Sequence, residues 1–159
     1  MKRWTLSKHD SVELIERIET SLQVRLGLGR TAQARCEEPK EGIVFAHLDS
    51  LVFVQADGRY FPFLGSQEAL SLFPSAIVDE GAIRFLLNGA DVMRPGVKSY
   101  DSWGGEGMTV VVKEGKKNRA IVVSQSTIKS DDMPNISKGT CLKNLHRVGD
   151  EYWNVYKTV

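Results

Sequence analysis

The sequence predicts an α+β protein built from two small units, residues 1–74 and 75–159. Three observations carry that expectation. An amphipathic stretch, Ser7 to Leu22, precedes a series of short strand-like runs. A second helical stretch with a glycine stop and a Pro-Gly turn, Val78 to Val97, divides the chain. Short apolar strands with turn signals then recur to residue 156, the pattern of a small barrel.

Composition bounds the rest. The 159 residues suffice for one medium domain or two small ones. A content of 42% apolar and 26% charged residues is that of an ordinary folded protein. The net charge of +1 excludes a wholly basic nucleic-acid binder, but 21 Lys and Arg leave room for a basic face. Cys36 and Cys141 form neither a CxxC pair nor a disulfide framework, so a reducing, cytoplasmic location is expected. Polar residues rather than an apolar signal core follow Met1-Lys2-Arg3-Trp4. No stretch nears the roughly 20 apolar residues that span a bilayer, so no membrane partner is expected.

In the first unit, Val12, Ile15, Ile18 and Leu22 form the apolar stripe of the first helix, with Leu14 beside them. Asp10 and Glu13 resemble a capping box. Gly27-Leu28-Gly29-Arg30-Thr31-Ala32 matches the G-x-G-x-x-A dinucleotide fingerprint, with Asp49 near the place of an acidic ribose ligand. The context argues against it, because no buried strand precedes the match and Pro39 and Gly42 cut short any following helix. Arg25, Arg30 and Arg35 instead make a basic loop or short helix, either solvated or facing phosphate. Ile43–Leu48 and Leu51–Val54 are strand-rich, and Asp57-Gly58 signals a hairpin into Tyr60–Phe63. Pro62 marks that last strand as an edge. Ser66 is expected to cap a short helix through Leu72, which Pro74 ends.

The second unit opens on Val78–Val97. Asp79 is the expected N-cap, its carboxylate accepting a first-turn N–H. Ala82, Ile83, Leu86 and Leu87 share a helical face, and Gly89 suits the left-handed residue past the helix end. Pro95-Gly96 fits the centre of a type II turn, with Gly96 supplying the positive φ. Gly89 and Gly96 thus bracket a backbone segment that a ligand can approach closely. Lys98–Met108 reads as a loop anchored by Tyr100 and Trp103. Thr109–Val112 and Arg119–Val123 are expected as central strands around Glu114–Asn118. Ser130-Asp131-Asp132 starts a turn that Pro134 disturbs, and Cys141–Arg147 with Tyr152–Tyr156 are expected as a last hairpin.

Catalytic chemistry finds little support. His9, His47 and His146 have no His, Cys or carboxylate neighbour at metal-ligand spacing. G-x-S-x-G, Walker A and H-E-x-x-H motifs are absent. Asp131-Asp132 and Glu37-Glu38 are adjacent carboxylates of the kind that face solvent. No enzyme, cofactor or metal is expected. Basic residues are better placed. Arg94 lies inside the Gly89–Gly96 bracket, followed by Lys98; a guanidinium beside backbone N–H groups can share one anion with them, which makes Arg94 the candidate phosphate contact. Lys113, Lys116, Lys117 and Arg119 cluster at one hairpin, where solvation is as good a reading as contact. Lys138, Lys143, Arg147 and Lys157 follow near the end. Tyr100, Trp103 and Trp153 either stack bases or belong to the core.

Val78-Asp79, Gly81-Ala82, Leu86-Leu87, Asn88-Gly89-Ala90, Met93 and Pro95-Gly96-Val97 together resemble the start of a PUA domain, an RNA-binding pseudo-barrel. The resemblance runs on through Gly139 and Trp153. Val54-Gln55, Gly58, Tyr60-Phe61-Pro62 and Phe73-Pro74 resemble the pre-PUA domain of the malignant T-cell-amplified-sequence family of translation factors. This implies a small α+β pre-PUA domain followed by a PUA β-pseudo-barrel, in a non-catalytic RNA-binding protein of the translation machinery. The second unit would contact structured RNA, a tRNA acceptor end or ribosomal RNA, through Gly89, Ala90, Met93, Arg94, Pro95 and Gly96. The first would engage the small ribosomal subunit or a protein partner. Lys143 and Lys157 join the RNA surface on charge alone. An accessory that presents tRNA to a separate modifying enzyme, and a protein-interaction scaffold, are the alternatives.

Overall fold

The computed structural model describes residues 1–29 and 31–158. They form two compact units, Met1–Leu72 with Glu151–Val159, and Phe73–Asp150. The first break falls two residues before the expected one, and the C-terminal segment, expected in the second unit, groups with the first.

In the first unit, β1 (Lys2–Thr5), β2 (Arg35–Lys40), β3 (Ile43–Leu48), β4 (Leu51–Ala56) and β5 (Arg59–Pro62) form one sheet in sequence order. Every neighbouring pair is antiparallel. Asp57 at φ +52° and Gly58 at φ +73° are both left-handed, the geometry of a type I′ turn, so the β4–β5 hairpin forms where it was expected. Pro62 sits on an edge strand, where its missing N–H costs no ladder bond. β2 was not anticipated: it forms despite Pro39 because β1 and β3 flank it, and the β2–β3 register shifts between Glu37 and Lys40. Asp49, at φ +56°, lies in the β3–β4 turn. Residues 24–29 form no regular element, so the dinucleotide fingerprint lacks its strand and helix; its Arg30 lies outside the described residues.

The helix α1 (Lys8–Leu22) is capped by Ser7, whose Oγ accepts the Asp10 N–H at 3.0 Å, rather than by Asp10. Its inward face is Ser11, Leu14 and Ile18, while Val12 is 44% exposed, so the expected stripe is rotated. Ser11 fixes that rotation, its Oγ accepting the Ala34 N–H at 2.9 Å. The short α2 (Gln67–Leu70) lacks the expected serine cap, since Ser66 Oγ instead donates to Ser50 O and accepts the Val52 N–H.

Tyr152–Tyr156, expected as the second strand of a hairpin, lie instead in a helix, Glu151–Tyr156. Tyr152 and Tyr156, one turn apart, meet Phe61 and Phe45 edge-on at centroid distances of 5.1 and 4.9 Å, and Trp153 lies over Phe63 at 6.0 Å. The β propensity of these aromatics is overridden by that packing. Phe45, Phe53 and Phe61 are fully buried, each worth about 1.5–3 kcal/mol.

The second unit holds β6 (Ser75–Val78), α3 (Ile83–Leu87), β7 (Val92–Met93), β8 (Val97–Tyr100), β9 (Thr109–Glu114), β10 (Ala120–Ser126) and β11 (Thr140–Arg147). They build a six-stranded sheet in the order β7-β11-β10-β9-β6-β8, antiparallel except for β6 and β9. Register shifts in β6, β10 and β11 bend it. β9 and β10 are central and buried, as expected. The core gathers Ala76, Val78, Leu86, Val92, Val110 and Leu142, with Trp103 and Met133. Trp103 is 4% exposed and its Nε1 donates to Ile128 O at 2.9 Å, so it anchors its loop and is closed to a stacking base.

Candidate functional site

The loop from Asn88 to Gly96 is built by the end of α3, the two residues of β7 and a single 3-10 turn. α3 has only five residues and is preceded by a 3-10 turn, Glu80–Ala82. Asp79 starts that turn without a side-chain cap; the Ala82 N–H goes instead to the Asp79 backbone oxygen at 3.0 Å. At the other end Gly89 takes φ +98°, as expected past a helix terminus.

Residues distant in sequence then fix the loop. Asn144 Nδ2 donates to Leu86 O at 3.0 Å and to Ala90 O at 2.9 Å, while its own N–H reaches Asp91 Oδ1 at 2.9 Å. Arg147 Nε donates to Leu87 O at 2.9 Å, supplying a partner for a carbonyl at the helix end. Gly139 O accepts the Arg94 N–H at 2.8 Å, and Met93 faces Thr140 across the β7–β11 ladder. The loop therefore presents its exposed residues, Asn88, Gly89, Ala90, Asp91, Met93 and Pro95, on a fixed backbone.

Beside it lies an apolar groove of about 300 Å³, lined by Ala82, Phe85, Leu86, Ala90, Asp91, Val92, Met93 and Gly96. Phe85 is 54% exposed and Met93 48%, high values for large apolar side chains. The Arg84 guanidinium carbon stands 4.9 Å from the Phe85 ring centroid, placing a cation at the rim. Among the described residues Asp91 is the one carboxylate in the lining. Cys141, behind β7, directs its thiol to Val92 O, and burial pushes that thiol above its ordinary pKa, away from nucleophilic use.

Of the expected site residues, Ala90, Met93 and Gly96 line the groove, while Gly89 and Pro95 sit on the exposed loop beside it. Arg94 points elsewhere. Its Nε donates to Met133 O at 2.9 Å and its Nη1 to Val97 O at 3.4 Å, with the guanidinium 5.8 Å from the Tyr100 ring. Pro95-Gly96 closes a 3-10 turn, not a type II turn, and Gly96 has no positive φ. Lys143 is exposed on β11 in the same unit; Lys157 follows the C-terminal helix, in the other unit. Arg84, Phe85, Asp91 and Asn144 were not among the residues expected at the site. Phe85 left a signal, being an aromatic off the Ala82–Ile83–Leu86–Leu87 face; Asn144 left none.

Two histidines have a carboxylate four residues on, contrary to expectation: buried His146 Nδ1 lies 2.9 Å from Asp150 Oδ2. His9 and Glu13 lie an i,i+4 step apart at 3.2 Å, and with Asp10 their ligand atoms fall within 4.8 Å of one another, all exposed on α1. A fixed loop, an open apolar groove and a cation-flanked ring suit a flat apolar or aromatic group more than bond-breaking chemistry. No helix of the described residues is long and apolar enough to cross a membrane.

The PUA domain family matches residues 74–148. The chain is 42% identical over 78 residues to an uncharacterized protein of Methanocaldococcus jannaschii, covering 49% of this chain and 48% of that one. It is 32% identical over 127 residues to malignant T-cell-amplified sequence 1-B of Xenopus laevis, covering 76% and 68%. Translation machinery-associated protein 20 of Eremothecium gossypii is 33% identical over 118 residues, covering 70% and 65%. The chain thus spans about half the length of the first relative and about two thirds of the other two. The crystal structure of a hypothetical protein from Pyrococcus horikoshii superposes with a TM-score of 0.77 at 25% identity, over 97% of this chain and 99% of that one. The α+β architecture and the curled sheet of the second unit are those of a PUA pseudo-barrel protein. With two thirds of a relative aligned at this identity, the chain belongs to the malignant T-cell-amplified sequence family of PUA-domain proteins.

Proposed function

We propose that this protein is a non-catalytic RNA-binding protein of the translation machinery, acting in the cytoplasm. In this reading the second unit receives the single-stranded acceptor end of tRNA, and the small ribosomal subunit is its assembly partner. One observation carries it: a loop immobilised by Asn144 and Arg147 holds Phe85, Ala90 and Met93 open around an apolar groove. An unstacked base offers a flat face that such a groove accepts, at about 1–3 kcal/mol per stacked base. Arg84, Lys98 and Lys143 supply the exposed positive charge for phosphate. The relative whose name places it with the translation machinery supports the same reading.

Fluorescence anisotropy with a tRNA transcript, with and without its single-stranded 3′ end, tests this at several salt concentrations. Binding that weakens with salt and needs the 3′ end is expected. No binding, or binding indifferent to salt, would remove the RNA reading. Co-sedimentation with small ribosomal subunits tests the assembly partner separately.

A second reading draws on the inward turn of Arg94 and the carboxylate of Asp91, with no Lys or Arg among the described residues of the lining. A protein segment with an apolar side chain would then be its occupant. RNA-independent capture of a protein partner, lost in Phe85→Ala, would favour it.

A further inference from the structure

We propose that the tip of the β9–β10 hairpin is a second contact for the RNA backbone, separate from the groove; this rests on the RNA-binding reading above. The tip is a built feature. The Glu114 carboxylate accepts the backbone N–H groups of Lys116 at 2.8 Å, Lys117 at 2.9 Å and Arg119 at 3.1 Å. Asn118 takes φ +55° to close the turn. The loop is thus wound around its own anion, as backbone nests are wound around phosphate. Lys116, Lys117 and Arg119 project outward and are exposed, with Lys113 half-buried at the base.

Charge is in excess there. Four basic side chains stand against two carboxylates: Glu114 inside the loop, 3.8 Å from Arg119, and Glu80, 3.0 Å from Lys116. Lys113 and Lys117 have no carboxylate partner among the described residues. The Lys116–Glu80 pair also ties the tip to the turn leading into α3, which carries Arg84 and Phe85.

Position favours nucleic acid over an acidic protein. Val78 pairs with Val97 on one side and with Glu114 on the other. Two strand spacings, roughly 10 Å, therefore separate Val97, at the groove end, from Glu114 at the base of the tip, and Arg119, whose backbone oxygen accepts the Glu114 N–H, lies one spacing further. One RNA strand a few nucleotides long covers that span. A strand whose end enters the groove can place a following phosphate at Lys117 and Arg119 without bending around the barrel.

The test is RNA affinity as a function of salt for the double variant Lys117→Gln/Arg119→Gln, beside the wild type, Phe85→Ala and the charge-preserving Lys117→Arg. The double variant is expected to lose roughly tenfold in affinity at low salt and to lower the salt slope by about two, with thermal unfolding unchanged. Lys117→Arg should retain both affinity and slope. If the double variant matches the wild type while Phe85→Ala loses binding, the hairpin contact is overturned and the groove reading stands. If the double variant keeps RNA affinity but loses binding to polyglutamate, the tip serves an acidic protein and the proposal is overturned. A wild-type protein that binds no RNA overturns both.

Discussion

The guanidinium of Arg94 donates through Nε to the carbonyl of Met133, 2.9 Å away and 39 residues later in the chain. Met133 is fully buried in the core of the second unit, so this bond ties the loop's turn to the 3-10 segment Ser130–Asn135. The charge expected to meet phosphate is spent on holding backbone. Arg94→Ala should therefore lower stability by about 2 kcal/mol, the usual worth of a charge-assisted hydrogen bond to a part-buried carbonyl. Urea denaturation measures it. A variant as stable as the wild type but weaker for RNA would return Arg94 to the ligand surface.

Asn144→Ala removes two side-chain bonds from one loop, those to Leu86 O and Ala90 O. A loss of about 1–2 kcal/mol is expected. Amide hydrogen exchange should accelerate locally at Gly89 and Ala90 before global unfolding. RNA affinity should fall in parallel, because the ligand would then have to order the loop it meets.

Phe85→Ala and Met93→Ala should separate binding from stability. Both side chains are about half exposed, so each substitution should change stability by less than about 0.5 kcal/mol. Phe85→Ala should nevertheless weaken RNA binding about tenfold or more, read by anisotropy, with Met93→Ala the milder of the two.

The two bracketing glycines should behave differently. At Gly89 an added Cβ meets Arg147 Nη1 at 3.3 Å and the backbone holds φ +98°, so Gly89→Ala should cost about 1–2 kcal/mol. At Gly96 an added Cβ meets only Ala82 Cβ, at 3.5 Å, with no positive φ, so Gly96→Ala should fold normally and narrow the groove. Thermal unfolding of both variants, with RNA affinity for the second, checks the contrast.

Stability should also depend on pH through His47. Its Nε2 and Glu37 Oε2 are buried, 3.6 Å apart, too far for a hydrogen bond, and neither has another hydrogen-bond partner among the described residues. Burial pushes the imidazole below its ordinary pKa of about 6.5, the nearby Glu37 charge partly opposes that, and Arg35 adds to it. A lowered folded value means that the unfolded chain binds the proton more readily. Stability is therefore highest above about pH 6.5 and falls as the pH drops from there towards the folded value. His47→Gln should flatten this window in thermal melts recorded as a function of pH. A wild-type profile already flat there would contradict it.

The sequence made much of the framework legible. Asp57-Gly58 named its hairpin, Pro62 named an edge, and the apolar runs of β9 and β10 named the centre of the second sheet. β2 was hidden because Arg35, Glu37 and Lys40 interrupt its apolar pattern and Pro39 argues against a strand. The terminal helix was hidden because Tyr152, Trp153 and Tyr156 read as strand formers until Phe45, Phe61 and Phe63 are placed opposite them. In the Asn88–Gly96 loop, Arg94 was expected to face a ligand, and its guanidinium turns to Met133 O instead.

What the sequence determined by itself is local: where apolar periodicity changes from helix to strand, and where a positive φ is needed, as at Gly58 and Gly89. These depend on sterics and hydrophobic spacing within a few residues of each position. What only the tertiary structure decided is direction. Arg94 turns to Met133 and Asn144 reaches back 54 residues to Ala90, while Phe85 is left facing solvent. Side-chain direction follows from which unpaired carbonyls and apolar surfaces the rest of the fold brings near, and those neighbours come from strands far away in the chain.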